Sequence, residues 1–207
     1  MNITREHPVR VVAISGSLRD TSYTRMALDV TLRGAAEAGA VTEMIDLRDY
    51  ELPFFKKDRP ALPPDVARLR ADVKRADGII LGTPEYHGSV SGVLKNALDL
   101  MGFEEFEGKM IGLVGVSGGA LGATEALNTL RTIGRSLHAW VLPQQVSVPE
   151  VWKVFDASGA MSSRALEGRL LELGRQVARF AFLHAAERAG DFLQLWETAP
   201  PNPGGEH

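Results

Sequence analysis

Apolar residues gather along the chain in short runs separated by longer stretches of mixed polarity. Val9 to Ser15, Val41 to Leu47, Gly78 to Thr83, Met110 to Val116 and Trp140 to Val148 are strand-length, and the sequences GIILGT and MIGLVGV are almost wholly apolar. That pattern predicts strands covered on both faces. Pro143 interrupts the last of them. The intervening stretches predict helices over Ser22 to Glu37, Val66 to Arg75, Val93 to Met101, Thr124 to Leu137 and, closing the series, Ala165 to Ala189. Met26, Leu28, Val30, Leu32 and Ala35 supply the contacts of the first, with Gly39 as its stop. Asp65 is placed to cap the second. Tyr50 to Pro64, with four prolines and the cluster FFKKD, reads as a long loop, and loops of that length are usually functional or mobile. Strands alternating with helices predict an α/β fold with a parallel sheet and helices on both faces. The expectation is one domain over residues 1–192, with residues 193–207 a disordered tail by composition.

In such sheets ligands gather outside the carboxyl ends of the strands, near the switch in strand order. Three unusual loops fall there. The first, GSLRDTSYTR (residues 16–25), sets Ser17, Ser22, Thr24 and Arg19 at a strand-to-helix corner. Unpaired amides and the positive end of the helix dipole favour an anion at such a corner, and an arginine fork suits phosphate oxygens. The bland alternative is that Ser17 or Ser22 only caps the helix. The chain has Thr21-Ser22-Tyr23 where a P-loop needs Gly-Lys-Ser/Thr, and it lacks the glycine spacing of a dinucleotide fingerprint, so a terminal phosphate fits better than a pyrophosphate.

The second loop, Pro84-Glu85-Tyr86-His87-Gly88-Ser89, offers main-chain amides and an aromatic surface to a flat heteroaromatic ring, or is a turn with Tyr86 as a packing residue. His87 is a donor without a triad around it, which is weak support for catalysis. Lys95 and Asn96 read as structural. In the third loop Ser117, Gly118, Gly119 and Gly122 let main chain approach a ligand closely, or form a simple connection. Together the three corners match a mononucleotide with a planar head, the shape of FMN.

Composition narrows the chemistry. A formal charge of −3 over 207 residues gives no basic field, so nucleic acid and anionic membranes are not expected partners. The absence of cysteine removes disulfides, thiolate nucleophiles and cysteine-held metals, which leaves redox work to a bound organic cofactor. No apolar run reaches the roughly 20 residues that span a bilayer, and Met1 to Arg10 lacks the apolar centre of a signal peptide; a cytoplasmic protein is expected.

From about Val9 to Pro149 the chain resembles the NAD(P)H-dependent FMN reductases, the group containing chromate, quinone and azo-dye reductases. The resemblance rests on GSLRDTSYTR, on PEYHGSVSGVLKNALD (residues 84–99) and on the glycine-rich loop at 117–122. It implies a flavodoxin-like α/β/α sandwich with a five-stranded parallel sheet in the order 2-1-3-4-5. By the same resemblance Ser17, Arg19, Ser22, Tyr23 and Thr24 hold the FMN phosphate. Pro84, Glu85, Tyr86, His87 and Gly88 line the ring, and Ser117, Gly118 and Gly119 complete its pyrimidine side. His87 and Thr24 stand where asparagine is common, Ser91 for a proline and Leu100 for a tryptophan. The implied activity is ping-pong hydride transfer from NADPH or NADH to FMN and on to a quinone, azo compound, chromate or free flavin, with no catalytic side chain and no metal. A homodimer or homotetramer is implied, with the Tyr50 to Pro64 loop, bearing Phe54 and Phe55, covering the site, reaching a neighbour or folding back on its own core. Two other readings stand beside it: a flavodoxin-type electron carrier serving a protein partner, and a regulator sensing a nucleotide. Carriers are typically strongly acidic, which −3 is not.

Overall fold

The five apolar runs become strands β1 (Arg10–Ser15), β2 (Val41–Asp46), β3 (Gly78–Pro84), β4 (Met110–Val116) and β5 (Trp140–Val148) in a computed structural model, which describes residues 8–57, 61–156 and 159–185. Every neighbouring pair is parallel and the order is β2-β1-β3-β4-β5. The chain steps outward from β1 to β2 and then returns to the other side of β1, so the strand order reverses between β1 and β3. β3 and β4, central in the sheet, are buried along their whole length. β5 alone slips register: Ile111 and Leu113 of β4 face Val141 and Gln145, so the two-residue step on β4 spans four residues on β5. Pro143, which has no amide to give to a ladder, lies in that irregular stretch.

The helices are α1 (Tyr23–Glu37), α2 (Pro64–Lys74), α3 (Gly92–Asp99), α4 (Phe103–Phe106), α5 (Thr124–Ser136), α6 (Val151–Val154) and α7 (Arg164–Ala185). Side chains alternate across a strand, and β1 shows the result: Val11 and Ala13 face a core shared with α1, α6 and α7, while Val12 and Ile14 face one shared with α2, α3 and α5. α1 and α7 pack backbone to backbone. A Cβ on Gly34 would lie 2.0 Å from the Leu171 carbonyl oxygen, and one on Gly174 only 1.8 Å from that of Thr31, so glycine is required at both positions.

Several expectations need correction. α2 starts at Pro64, which suits the first helical position because its missing amide is not needed there; Pro63 occupies the cap position. Asp65 therefore sits inside the first turn, where its carboxylate accepts from the Glu51 amide at 2.7 Å and pairs with Arg68 at 3.2 Å. The short α4 and α6, and a 3₁₀ turn at Leu47–Asp49, carry too few residues to show periodicity in the sequence. The tail at 193–207 and the end of the closing helix lie outside the described residues. Among the described residues no helix is long and apolar enough to cross a membrane.

Candidate functional site

The corner between β1 and α1 begins at Gly16, whose amide donates to the Gly82 carbonyl at 2.8 Å. A Cβ here would meet Leu94 Cβ at 2.8 Å, Gly82 O at 2.9 Å and Ser91 Oγ at 3.0 Å, so close packing against β3 and α3 demands glycine. Ser17 Oγ accepts from the Arg19 amide at 3.4 Å, and Ser22 Oγ caps α1 by accepting from the Arg25 amide at 3.3 Å. Each hydroxyl spends a lone pair in this way and keeps its O–H for another acceptor. The Arg19 side chain is exposed and makes no hydrogen bond or ion pair among the described residues. Arg25 behaves oppositely. Its Nη2 donates to the Arg19 carbonyl at 2.9 Å and to that of Asp20, while Nη1 lies 3.4 Å from Asp46 Oδ2. Burial alone would raise the Asp46 carboxyl, but hydrogen bonds from Arg48 and the charges of Arg25 and Arg48 outweigh it and hold the pKa below its ordinary value. The buried side-chain polar atoms left without a hydrogen-bond partner among the described residues are Ser15 Oγ and Arg25 Nη1, both at this corner.

The corner between β3 and α3 is a tight turn. Tyr86 N donates to Ser89 O at 3.0 Å and Ser89 N to Tyr86 O at 3.1 Å, with His87 at φ 52° and Gly88 at φ 71° between them. Positive φ at both central positions is the type I′ arrangement, which favours asparagine followed by glycine. Histidine tolerates the left-handed region better than most residues, so His87 suits this turn position for a backbone reason. Its side chain is exposed. Glu85 is committed to structure: its amide donates to Val116 O at 2.9 Å and its Oε2 accepts from the Ala126 amide at 3.0 Å, serving the α5 N-terminus, where Ala123 offers no side-chain cap. Ser91 is a junction. Its amide donates to Thr83 Oγ1 at 3.0 Å, its hydroxyl donates to Gly16 O at 2.6 Å, and its Oγ accepts from the Leu94 amide at 3.2 Å. A proline at this position would lose the first of these bonds and, lacking a hydroxyl, the other two.

The third corner, between β4 and α5, is held by α6. Ser117 O accepts from the Val151 amide at 3.0 Å, Gly119 O from the Glu150 amide at 3.1 Å and Gly118 O from Trp152 Nε1 at 3.4 Å. Ser117 Oγ accepts from the Gly119 amide at 3.1 Å. Gly122, at φ 75°, could not carry a Cβ without meeting Ser147 Oγ at 2.3 Å.

These corners enclose a cleft of about 370 Å³. Ser17, Arg19, Tyr23 and Thr24 line it from the first corner; Pro84, Glu85 and Tyr86 from the second; Ser117 and Gly118 from the third. Ser22, His87, Gly88 and Gly119 were expected to line the site and do not reach its wall: Ser22 is spent on the helix cap, His87 and Gly88 form the turn, and Gly119 bonds within its own loop and to α6. Val116, Val151 and Trp152 complete the lining. The last two come from α6, and only the aromatic at 152 could have signalled it. At the second and third corners many main-chain donors are spent on the protein: Pro84 has none, and the amides of Glu85, Tyr86, Ser89, Ser117 and Gly119 are all bonded. Those of His87, Gly88 and Gly118 have no partner among the described residues. The long loop is tied down at its start, where Asn96 Nδ2 donates to Leu52 O at 3.2 Å and Pro53 O at 3.4 Å. Phe54 and Phe55 are exposed and line no part of the cleft. Larger grooves, of about 550 Å³ beside α7 and 810 Å³ beside β2, lie away from the carboxyl ends of the central strands.

The cleft and its sheet have known counterparts. Residues 9–153 match the model of the NADPH-dependent FMN reductase family. An NADPH-dependent FMN reductase, ArsH, of Shigella flexneri is 32% identical over 183 residues, covering 85% of this chain and 70% of its own length. An NAD(P)H-dependent FMN reductase of Pseudomonas aeruginosa is 34% identical over 175 residues, covering 81% and 90% respectively, and an NADPH azoreductase of a Bacillus species 39% over 139 residues, covering 67% and 75%. Among solved structures, the NAD(P)H:(acceptor) oxidoreductase FerB of Paracoccus denitrificans superposes with a TM-score of 0.67 at 25% identity, over 85% of this chain and 98% of that one. The chain belongs to the NADPH-dependent FMN reductase family, oxidoreductases of flavodoxin-like fold that work with FMN and a reduced nicotinamide.

Proposed function

We propose that the cleft holds FMN with its phosphate at the β1–α1 corner and its ring between the other two corners. One observation carries this assignment: the Arg19 side chain, just before a helix start, is exposed and makes no hydrogen bond or ion pair among the described residues, and it lines the same cleft as Ser17 and Thr24. A dianion is the complement of a free cation, unspent hydroxyl donors and the positive end of α1. The cleft volume falls in the lower part of the roughly 300–1,000 Å³ usual for cofactor sites.

FMN bound there would supply the redox chemistry, taking hydride from NAD(P)H and passing two electrons to a small acceptor. The protein's part is binding, orientation and electrostatics. Tyr86 offers an aromatic surface for the ring, being 44% exposed at the cleft edge. The amide of Gly118, which lines the cleft and has no partner among the described residues, is a main-chain donor available to stabilise negative charge on ring heteroatoms. Val116, Val151 and Trp152 form an apolar wall. Nicotinamide and acceptor would share this one cleft, so oxidised nicotinamide would leave before the acceptor enters, a ping-pong order. Azo compounds, quinones, chromate and free flavin are acceptors of the proposed class, azo compounds being supported by the azoreductase relative. The exposed rim of Leu18, Tyr86, Leu121 and Trp152 supports assembly as a homodimer or homotetramer.

Anaerobic stopped-flow tests the reading. The purified protein should be yellow, NADPH should bleach it, and a quinone or azo dye should restore the colour in a separate step with parallel-line kinetics. A yellow protein inert to both nicotinamides would mark an electron carrier instead.

A further inference from the structure

Arg19 and Arg25 share one corner and are used in opposite ways. Arg25 belongs to the first turn of α1, and its side chain is only 15% exposed. Its guanidinium faces into the loop, toward the Arg19 and Asp20 carbonyls, with Asp46 at the end of β2 behind it. A second strap runs alongside. Arg48 holds Asp46 with Nη2 at 2.8 Å and Nε at 3.1 Å, and its Nη1 lies 3.5 Å from Asp20 Oδ1. The first strap fastens residues 19 and 20, and the second residue 20, to the end of β2.

We infer that Arg25 is a positioning residue, the strut that keeps the β1–α1 loop in its anion-binding shape while Arg19 makes the contact. The inference rests on the reading of this cleft as the FMN site. Residues 17–21 belong to no helix or strand, so nothing in a backbone ladder sets their conformation. Gripping the carbonyls of residues 19 and 20 fixes two consecutive peptide planes, and because a planar trans peptide points its N–H opposite to its C=O, the amides of Asp20 and Thr21 turn away from Arg25. The root of the Arg19 side chain is fixed by the same contacts. Arg25 is itself a poor phosphate ligand, since its Nη2 is committed to carbonyls and its Nη1 is enclosed beside a carboxylate. Lysine would keep the charge, but its single ammonium lacks the planar fork that spans two carbonyls and Asp46 together.

The test compares FMN with riboflavin, which lacks the phosphate, by flavin-fluorescence titration of the full-length apoprotein. Wild type should prefer FMN, and Arg25→Ala should lose about 10-fold in FMN affinity while riboflavin affinity stays within about twofold. Arg25→Lys should recover little of that loss, and added methylguanidinium should restore part of it to Arg25→Ala. The double variant Arg19→Ala/Arg25→Ala should lose much less than the product of the two single effects, because both act through one contact. If Arg25→Ala does not fold, Arg25→Lys carries the comparison. Wild type binding riboflavin as tightly as FMN would overturn the site assignment and this inference with it. A wild-type preference for FMN that persists unchanged in the folded Arg25 variants would overturn this inference alone.

Discussion

At the amino ends of the strands the buried and half-buried charges are spent on the fold. Asp77 Oδ2 accepts from the Arg10 amide at 2.8 Å, Lys109 Nζ donates to Val73 O and Lys74 O at 2.7 and 2.8 Å, and Glu105 takes both the Gly102 amide at 2.7 Å and Arg70 at 2.8 Å. At the carboxyl ends the pattern reverses. Among the described residues Arg19 makes no hydrogen bond or ion pair, Ser15 Oγ has no hydrogen-bond partner, and the amides of His87, Gly88 and Gly118 lack acceptors. Both ends belong to the same strands. The difference is whether polar groups are saturated, and an unsaturated group that costs stability is a mark of binding.

The sharpest way to break the contrast is Glu105→Ala. Its side chain is 2% exposed, and removing it strands the Gly102 amide and Arg70. The loss should be about 3 kcal/mol in urea denaturation, the low end for a broken buried ion pair because Arg70 can turn to solvent; FMN affinity should stay within twofold. Arg19→Ala should do the converse, weakening FMN by about 1.5 to 3 kcal/mol, the range of charged hydrogen bonds, with stability unchanged. Equal effects on both properties in either variant would dissolve the distinction.

A gentler probe is pH. Burial pushes the Lys109 ammonium down to about 8, against smaller opposing effects of Asp77 and Glu105. Between about pH 8 and the ordinary lysine value near 10.4 the unfolded chain holds a proton that the folded protein has released, so this group makes stability rise with pH across that window and level off above it. Lys109→Met should flatten that rise without altering FMN binding. The smallest effect expected is His87→Asn, a gain of about 0.5 kcal/mol from a residue better suited to positive φ, measured by thermal unfolding. It shows that a position in a functional corner can serve the backbone alone.

The strands, the parallel sheet and the three corners were legible because buried strands write continuous apolar runs and strand-to-helix corners concentrate glycine and hydroxyl residues. Arg19, Ser17, Thr24 and Tyr86 were legible for their chemistry. Arg25 was not, though it closes the same motif, because its role depends on Asp46 from another strand, a contact that no local pattern encodes. Glu85 misled in the opposite direction: its position is right, but α5 claims its carboxylate. α6 brings Val151 and Trp152 to the cleft through a single helical turn, too short to leave a period in the sequence.

The glycine-on-glycine crossing of α1 and α7 bears on how the protein comes into being. α1, whose first turn carries the anion corner, rests on α7, which is synthesised after every residue that lines the cleft. A nascent chain stopped before Arg164 contains every side chain of the cleft, yet the helix behind Arg19 has only half its bed. Completion of the candidate site is thereby tied to the synthesis of α7, and the ribosome delivers the sequence of the cleft well before it delivers the cleft itself.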